Sequence, residues 1–302
     1  GMAVIDEQHR FGVHQRLALG RKGEAVDMLV MTATPIPRTL ALTAFGDMDS
    51  SALDEKPPGR KPISTRALPA SRIGEVVAGL QRALAEGARA YWVCPLVEEN
   101  EDLDLAAAEA RAADLRHYFG DRVGLVHGRM KGPEKDAAME AFQRGDTQIL
   151  VATTVIEVGV DVPNATVMVI MDADRFGVSQ LHQLRGRVGR GTSPGLCLLV
   201  TRAEPESSAR IRLDAVAGTL DGFELSRIDL EQRREGDVLG ASQSGSRSHL
   251  RLLRVLRDES MIEEARHDAT TILESGIASY PLLATELAQI QADAAAEYID
   301  KA

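Results

Sequence analysis

Residues 148–200, QILVATTVIEVGVDVPNATVMVIMDADRFGVSQLHQLRGRVGRGTSPGLCLLV, decide the fold. Three uncharged apolar runs lie within them: Gln148–Ala152, Thr166–Met171 and Leu196–Val200. Continuous runs of this kind are strands buried on both faces, as in a parallel sheet covered by helices on each side. Between the second and third runs, a helix expected from Ser179 leads into Gln183-Leu184-Arg185-Gly186-Arg187-Val188-Gly189-Arg190-Gly191. Read as continuing helix, this stretch sets Arg187 and Arg190 on one helical face, which suits the charge on a transferring phosphoryl group.

The alternation extends upstream. A strand after Ile63, a helix over Ile73–Glu86, a strand over Ala90–Pro95, a helix over Ala106–Phe119, a strand over Val123–His127 and a helix over Pro133–Arg144 complete an α/β domain. Its length, roughly 140 residues, is ordinary for one domain. Ahead of it, Lys56-Pro57-Pro58-Gly59-Arg60-Lys61-Pro62 marks a boundary, because its prolines and glycine confine the chain to extended and turn conformations. Earlier still come a strand at Ala3–Asp6, a helix around Gln15–Ala18, a strand at Met28–Met31 and a helix from Arg38 through Thr43, with Pro35 and Pro37 leading into its first turn. Beyond Thr201 the helical period takes over, interrupted by the Gly-rich segment Gly236–Gly245. The expected organisation is therefore 1–60 as the end of a first α/β domain, 61–203 as a complete second one and 204–302 as a helical appendage.

Size and charge set bounds on function. The 302 residues, 44% of them hydrophobic, are enough for ordinary buried cores. No apolar run reaches the roughly 20 residues needed to span a bilayer, and no signal peptide is visible, so a soluble cytoplasmic protein with no membrane partner is expected. Gly1-Met2 reads as a tag remnant ahead of a strand already under way, which leads us to expect a chain cut inside a domain. Cys94 and Cys197 sit in apolar strand runs and read as reduced and buried. The net charge of -10 argues against a general nucleic-acid coat. Arginine nevertheless clusters at Arg175, Arg185, Arg187 and Arg190, and again from Arg227 to Arg257, and local clusters of this kind bind phosphate. The acidic run Glu98–Asp104 reads as a solvated loop.

Chemistry-bearing residues follow the strands. Asp6-Glu7-Gln8-His9 ends the first, where one carboxylate is placed to hold magnesium on a nucleotide and a second to activate water. Thr32-Ala33-Thr34-Pro35 ends the next and brings hydroxyls to the same edge, Thr34 serving equally as a helix cap. Thr153 through Pro163 again sets hydroxyls, a glycine (Gly159) and a carboxylate (Asp161) after a buried strand. No Gly-x-x-x-x-Gly-Lys-Ser/Thr phosphate loop occurs anywhere in the chain.

Taken in order, these segments resemble motifs II, III, V and VI of superfamily 2 helicases. Longer stretches, Val4–Val13, Val30–Leu40, Trp92–Glu99, Val126–Lys131 and Phe176–Gly191, resemble the RecG family of ATP-dependent DNA helicases. The resemblance covers essentially the whole chain. It implies a RecA-like second motor domain, preceded by the remnant of a first and followed by a translocation motif. It further implies ATP and Mg2+ as cofactors and branched or forked duplex DNA as partner, in recombination and repair.

Residue by residue, Asp6 would ligate magnesium, Glu7 would polarise the attacking water, and Gln8, His9, Thr32 and Thr34 would couple nucleotide state to DNA. Arg187 and Arg190 would be the fingers on the γ-phosphate, with Gln183 positioning them and Gly159 and Asp161 near the nucleotide sugar. His127, Arg129, Thr153 and Thr154 would contact DNA; His127 reads equally as a satisfied histidine at a strand end. In the tail, Arg233, Gly236, Gly240, Gln243 and Gly245 match the family's translocation motif, and Arg233 and Gln243 are its expected DNA contacts. Arg234-Glu235 stands where the family has Gly-Pro.

By the same resemblance, the phosphate loop and the N-terminal wedge lie outside this sequence. The chain alone is then expected neither to hydrolyse ATP nor to unwind a fork, and exposed sheet edges favour self-association. Two alternatives compete: a transcription-repair coupling translocase and a catalytically silent domain that kept the fold. Asp6–His9 and Trp92–Glu99 favour the RecG family over the first, and the intact Glu7, Arg187 and Arg190 weigh against the second.

Overall fold

The structure, a computed structural model, describes residues 1–6, 26–33, 51–53, 55, 59–95, 101–153, 162–232 and 258–289. The chain forms two compact units, one of Gly1–Pro35 with Leu53–Gln232, the other of Ile36–Ala52 with Arg233–Ala302.

In the first unit, β1 (Met2–Ile5) pairs in parallel with β2 (Asp27–Val30). A second, fully parallel sheet contains β3 (Ile63–Pro69), β4 (Arg89–Val93), β5 (Val123–Val126), β6 (Ile149–Ala152), β7 (Ala165–Ile170) and β8 (Gly195–Thr201), in the spatial order β3-β8-β7-β4-β6-β5. The helices are α1 (Ile73–Ala85), α2 (Glu101–Phe119), α3 (Gly132–Arg144), α4 (Val178–Arg185), α5 (Ser208–Gly218) and α6 (Gly222–Gln232). The second unit contributes α7 (Glu259–Ser275), ended by Gly276 at φ +85, and helical residues at 281–289.

Strand alternation divides the buried side chains into two cores. Tyr91, Val93, Leu150, Ala152, Met168, Ile170, Cys197 and Leu199 face one side, against Phe142 of α3, Leu181 and Leu184 of α4, Leu213 and Val216 of α5 and Leu225 of α6. Ala90, Trp92, Ile149, Val151, Val167, Val169, Leu198 and Val200 face the other, against α1 and α2. Helix α1 shows why it sits there: Val76, Leu80 and Leu84 recur every four residues and form one buried stripe. The first unit thus continues to Gln232, past the point near Thr201 where the sequence pattern turns helical, because α5 and α6 complete the first core. Ser207 caps α5, accepting from Arg210 N at 3.2 Å.

The expected strands and helices between Ile63 and Val200 are all present, as are the two strands ahead of them. The helices expected around Gln15–Ala18 and from Arg38 through Thr43, residues Lys56–Pro58 of the boundary, Glu98–Asn100 of the acidic run and the Gly-rich segment Gly236–Gly245 lie outside the described residues. Among the described residues, no helix is long and apolar enough to cross a membrane.

Candidate nucleotide and nucleic-acid site

Helix α4 starts behind Gly177, whose N–H donates to the Gln180 side chain at 3.1 Å, and it stops at Arg185. Past that point Arg187 N bonds Leu184 O at 3.0 Å and Val188 N bonds Arg185 O at 3.3 Å, a tightened last turn. Arg187 and Arg190 therefore lie in the turn beyond the helix, and not on a helical face as the sequence reading had it. The glycines are the cause. Gly189 adopts φ +67, its N–H bonds Ala165 O at 3.3 Å, and a Cβ there would stand 3.1 Å from Ile63 Cγ1. At Gly191 a Cβ would come within 2.7 Å of the Pro163 carbonyl oxygen. Backbone packed this closely excludes side chains and fixes the turn against the sheet. Arg190 Nε donates to Gly186 O at 3.1 Å, while Gln183, Arg187 and Arg190 are each half-buried.

Arg185 corrects the reading of the arginine cluster as uniformly phosphate-seeking. It is 2% exposed, its Nη1 donates to the carbonyls of Val216 at 2.6 Å and Thr219 at 2.7 Å, and its Nη2 meets His182 Nδ1 at 2.8 Å. A guanidinium only donates, so His182 accepts on Nδ1 and carries its hydrogen on Nε2. Burial lowers the Arg185 pKa from the usual arginine value, while carbonyls at the negative end of α5 offset the lost hydration. Arg175, by contrast, is exposed on a short 3-10 turn.

At the carboxyl edge of the six-stranded sheet, the register that pairs Val126 with Ala152 brings the next residues, His127 and Thr153, to neighbouring strand ends. Thr153 N bonds Val126 O at 3.4 Å. Among the described residues, His127 Nδ1 and Thr153 Oγ1 are both shut from solvent and have no hydrogen-bond partner. Arg129 is exposed in the turn that follows, and Lys135 Nζ of α3 donates to Gly128 O at 2.7 Å. Sequence reasoning missed both Lys135 and the structural role of Arg185.

On the smaller sheet, Asp6 is exposed at the end of β1, and Met31 N bonds Ile5 O at 2.7 Å, which sets Thr32 at the same carboxyl edge. An exposed carboxylate at a sheet edge that also carries a hydroxyl suits magnesium, which binds through one or two carboxylates together with phosphate oxygens. Among the described residues, no group of His, Cys, Asp and Glu forms a metal site of its own. Glu7, Gln8, His9, Thr34, Thr154, Gly159, Asp161, Arg233 and Gln243 lie outside the described residues. Both cysteines are buried, and burial pushes Cys94 up to about 11 and Cys197 up to about 12.

The helicase conserved C-terminal domain matches residues 75–192. The ATP-dependent DNA helicase RecG of Pasteurella multocida is 49% identical over 95% of this chain and 42% of its own length. That of Mycobacterium bovis is 48% identical over 100% of this chain and 43% of its own. The chain thus spans less than half the length of these curated relatives. A solved structure of RecG bound to a three-way DNA junction shares 42% identity at a TM-score of 0.67, covering 87% of this chain and 33% of that one. The Saccharomyces cerevisiae protein Dbp5 bound to RNA and ADP BeF3 shares the fold alone, at 13% identity and a TM-score of 0.52.

Proposed function

Because this chain belongs to the RecG helicases, we propose that it supplies the second motor domain of an ATP- and Mg2+-dependent translocase that remodels branched DNA, at forks and Holliday junctions, in recombination and repair. The observation that carries this reading is the glycine-locked turn after α4. It holds Arg187 and Arg190 on a rigid backbone, as fingers must be held to meet charge that develops only in the transition state. Gln183 positions them from α4, and Gly159 and Asp161 act beside the nucleotide.

Asp6 would hold a magnesium ion, which when bound would supply positive charge against the nucleotide phosphates, and Glu7 would orient the attacking water. Gln8, His9, Thr32 and Thr34 couple this chemistry to DNA. His127, Arg129, Thr153 and Thr154 hold the DNA backbone; the unpartnered atoms of His127 and Thr153 support that reading, because a phosphate or its bound water supplies what they lack. The three-way junction held by the RecG relative supports a branched substrate. Residues from Arg233 onward, Arg233 and Gln243 foremost, convert cleft closure into movement along duplex DNA.

By itself the chain has no phosphate loop, so it neither turns over ATP nor unwinds a fork. Met2, Val4, Met28, Leu29 and Met31 are exposed on the two-stranded sheet and drive self-association when nothing covers them. The setting is cytoplasmic. ATP turnover with and without forked DNA, measured for this chain and for a version extended upstream through a phosphate loop, tests the reading. Activity confined to the extended version is expected; turnover by the short chain would contradict it.

A further inference from the structure

We propose that Lys135 is a positioning residue for nucleic-acid contact, holding the turn that carries His127 and Arg129 at the carboxyl edge of the sheet. The inference rests on the DNA reading of that edge. The turn is short, running from the end of β5 at Val126 to the start of α3 at Gly132. Met130 N closes it on His127 O at 3.3 Å, and Lys131 N donates to Glu134 Oε2 at 3.0 Å, which secures the helix start. Lys135 acts on the peptide between them, its ammonium donating to Gly128 O at 2.7 Å.

The consequence follows from peptide geometry. A trans peptide sets C=O and N–H on opposite sides, so drawing the Gly128 carbonyl toward α3 turns the Arg129 N–H away from that helix and fixes where the Arg129 side chain leaves the backbone. Gly128 would otherwise leave this peptide a wide choice of orientations. The tie also steadies the turn that starts at His127, whose Nδ1, like Thr153 Oγ1 on the neighbouring strand end, is buried without a partner among the described residues. An ammonium spent on a backbone carbonyl organises the site, whereas one spent on a phosphate would be a direct contact, and salt dependence separates the two roles.

The test is fluorescence anisotropy of a labelled forked duplex with this chain at several salt concentrations, using the unsubstituted chain, Lys135→Met, Lys135→Arg and Arg129→Ala. Lys135→Met should weaken binding about tenfold, the size of one charge-assisted hydrogen bond, with the slope of log affinity against log salt unchanged. Lys135→Arg, which keeps charge and donors, should restore most of the affinity. Arg129→Ala should weaken binding and flatten the slope. A slope reduced by about one in Lys135→Met would make Lys135 a phosphate contact and overturn the positioning role. Binding equal to that of the unsubstituted chain, or no recovery in Lys135→Arg, would also overturn it. If the unsubstituted chain ignores the fork, or Arg129→Ala changes nothing, the DNA reading of the edge fails first and takes this inference with it.

Discussion

Arg185 Nη1 donates to the Thr219 carbonyl at 2.7 Å, so the last residue of α4 closes the end of α5 across a long separation in sequence. Its second bond, to Val216 O, lies at 2.6 Å. Because α6 begins at Gly222, this buried arginine ties the turn that bears Arg187 and Arg190 to the junction between α5 and α6.

Replacing Arg185 with methionine keeps much of the volume but strips two carbonyls of a charged donor. The expected cost is about 3 kcal/mol, read as a lowered urea midpoint. A midpoint within error of the unsubstituted chain would show that these bonds add nothing net.

Thr153→Val removes a buried hydroxyl that has no partner among the described residues, while conserving shape. Stability should stay level or rise by about 1 kcal/mol, because an unmet polar group is costly to bury, while affinity for forked DNA falls. Loss of stability with DNA affinity intact would reverse the assignment and make the hydroxyl structural.

At Gly191, the Pro163 carbonyl leaves no room for a methyl group. Gly191→Ala should cost about 2 kcal/mol through backbone displacement and should disturb the arginine turn. A melting temperature equal to that of the unsubstituted chain would mean that the turn yields freely.

The two thiols make a pH prediction. Their ordinary value is 9.0, and burial raises Cys94 to about 11 and Cys197 to about 12. Between the unfolded and folded values the unfolded chain has released protons that the folded chain keeps, so stability is unaffected by the thiols below the unfolded value and falls as pH climbs through the folded ones. Neither thiol should react with a disulfide reagent at neutral pH until denaturant is added. Replacing both with alanine should flatten the alkaline fall in urea midpoint, and an unchanged fall would assign it to other groups.

Much of the second sheet was legible because its central strands are buried on both faces and so read as unbroken apolar runs. Tyr91–Val93, Ile149–Ala152 and Val167–Ile170 are the clearest cases. The arginine turn was misread as helix although the signal was present: Gly186 and Gly189 fall where a helix would have to continue, and only the second takes a left-handed φ. The fixed position of Arg185 had no such signal, since a distant backbone carbonyl leaves no mark in residue type. The same holds for Lys135 and Gly128. Leu213, Val216 and Leu225 went unread as core because helical periodicity shows that a face is apolar without showing which sheet receives it.

The most direct test of the central claim is DNA-stimulated ATP hydrolysis by the extended protein carrying Arg187→Ala. The account predicts a loss of about a thousandfold in turnover with fork affinity unchanged, the mark of a group that acts on the transition state. Undiminished turnover would contradict it and would remove the arginine turn from the chemistry.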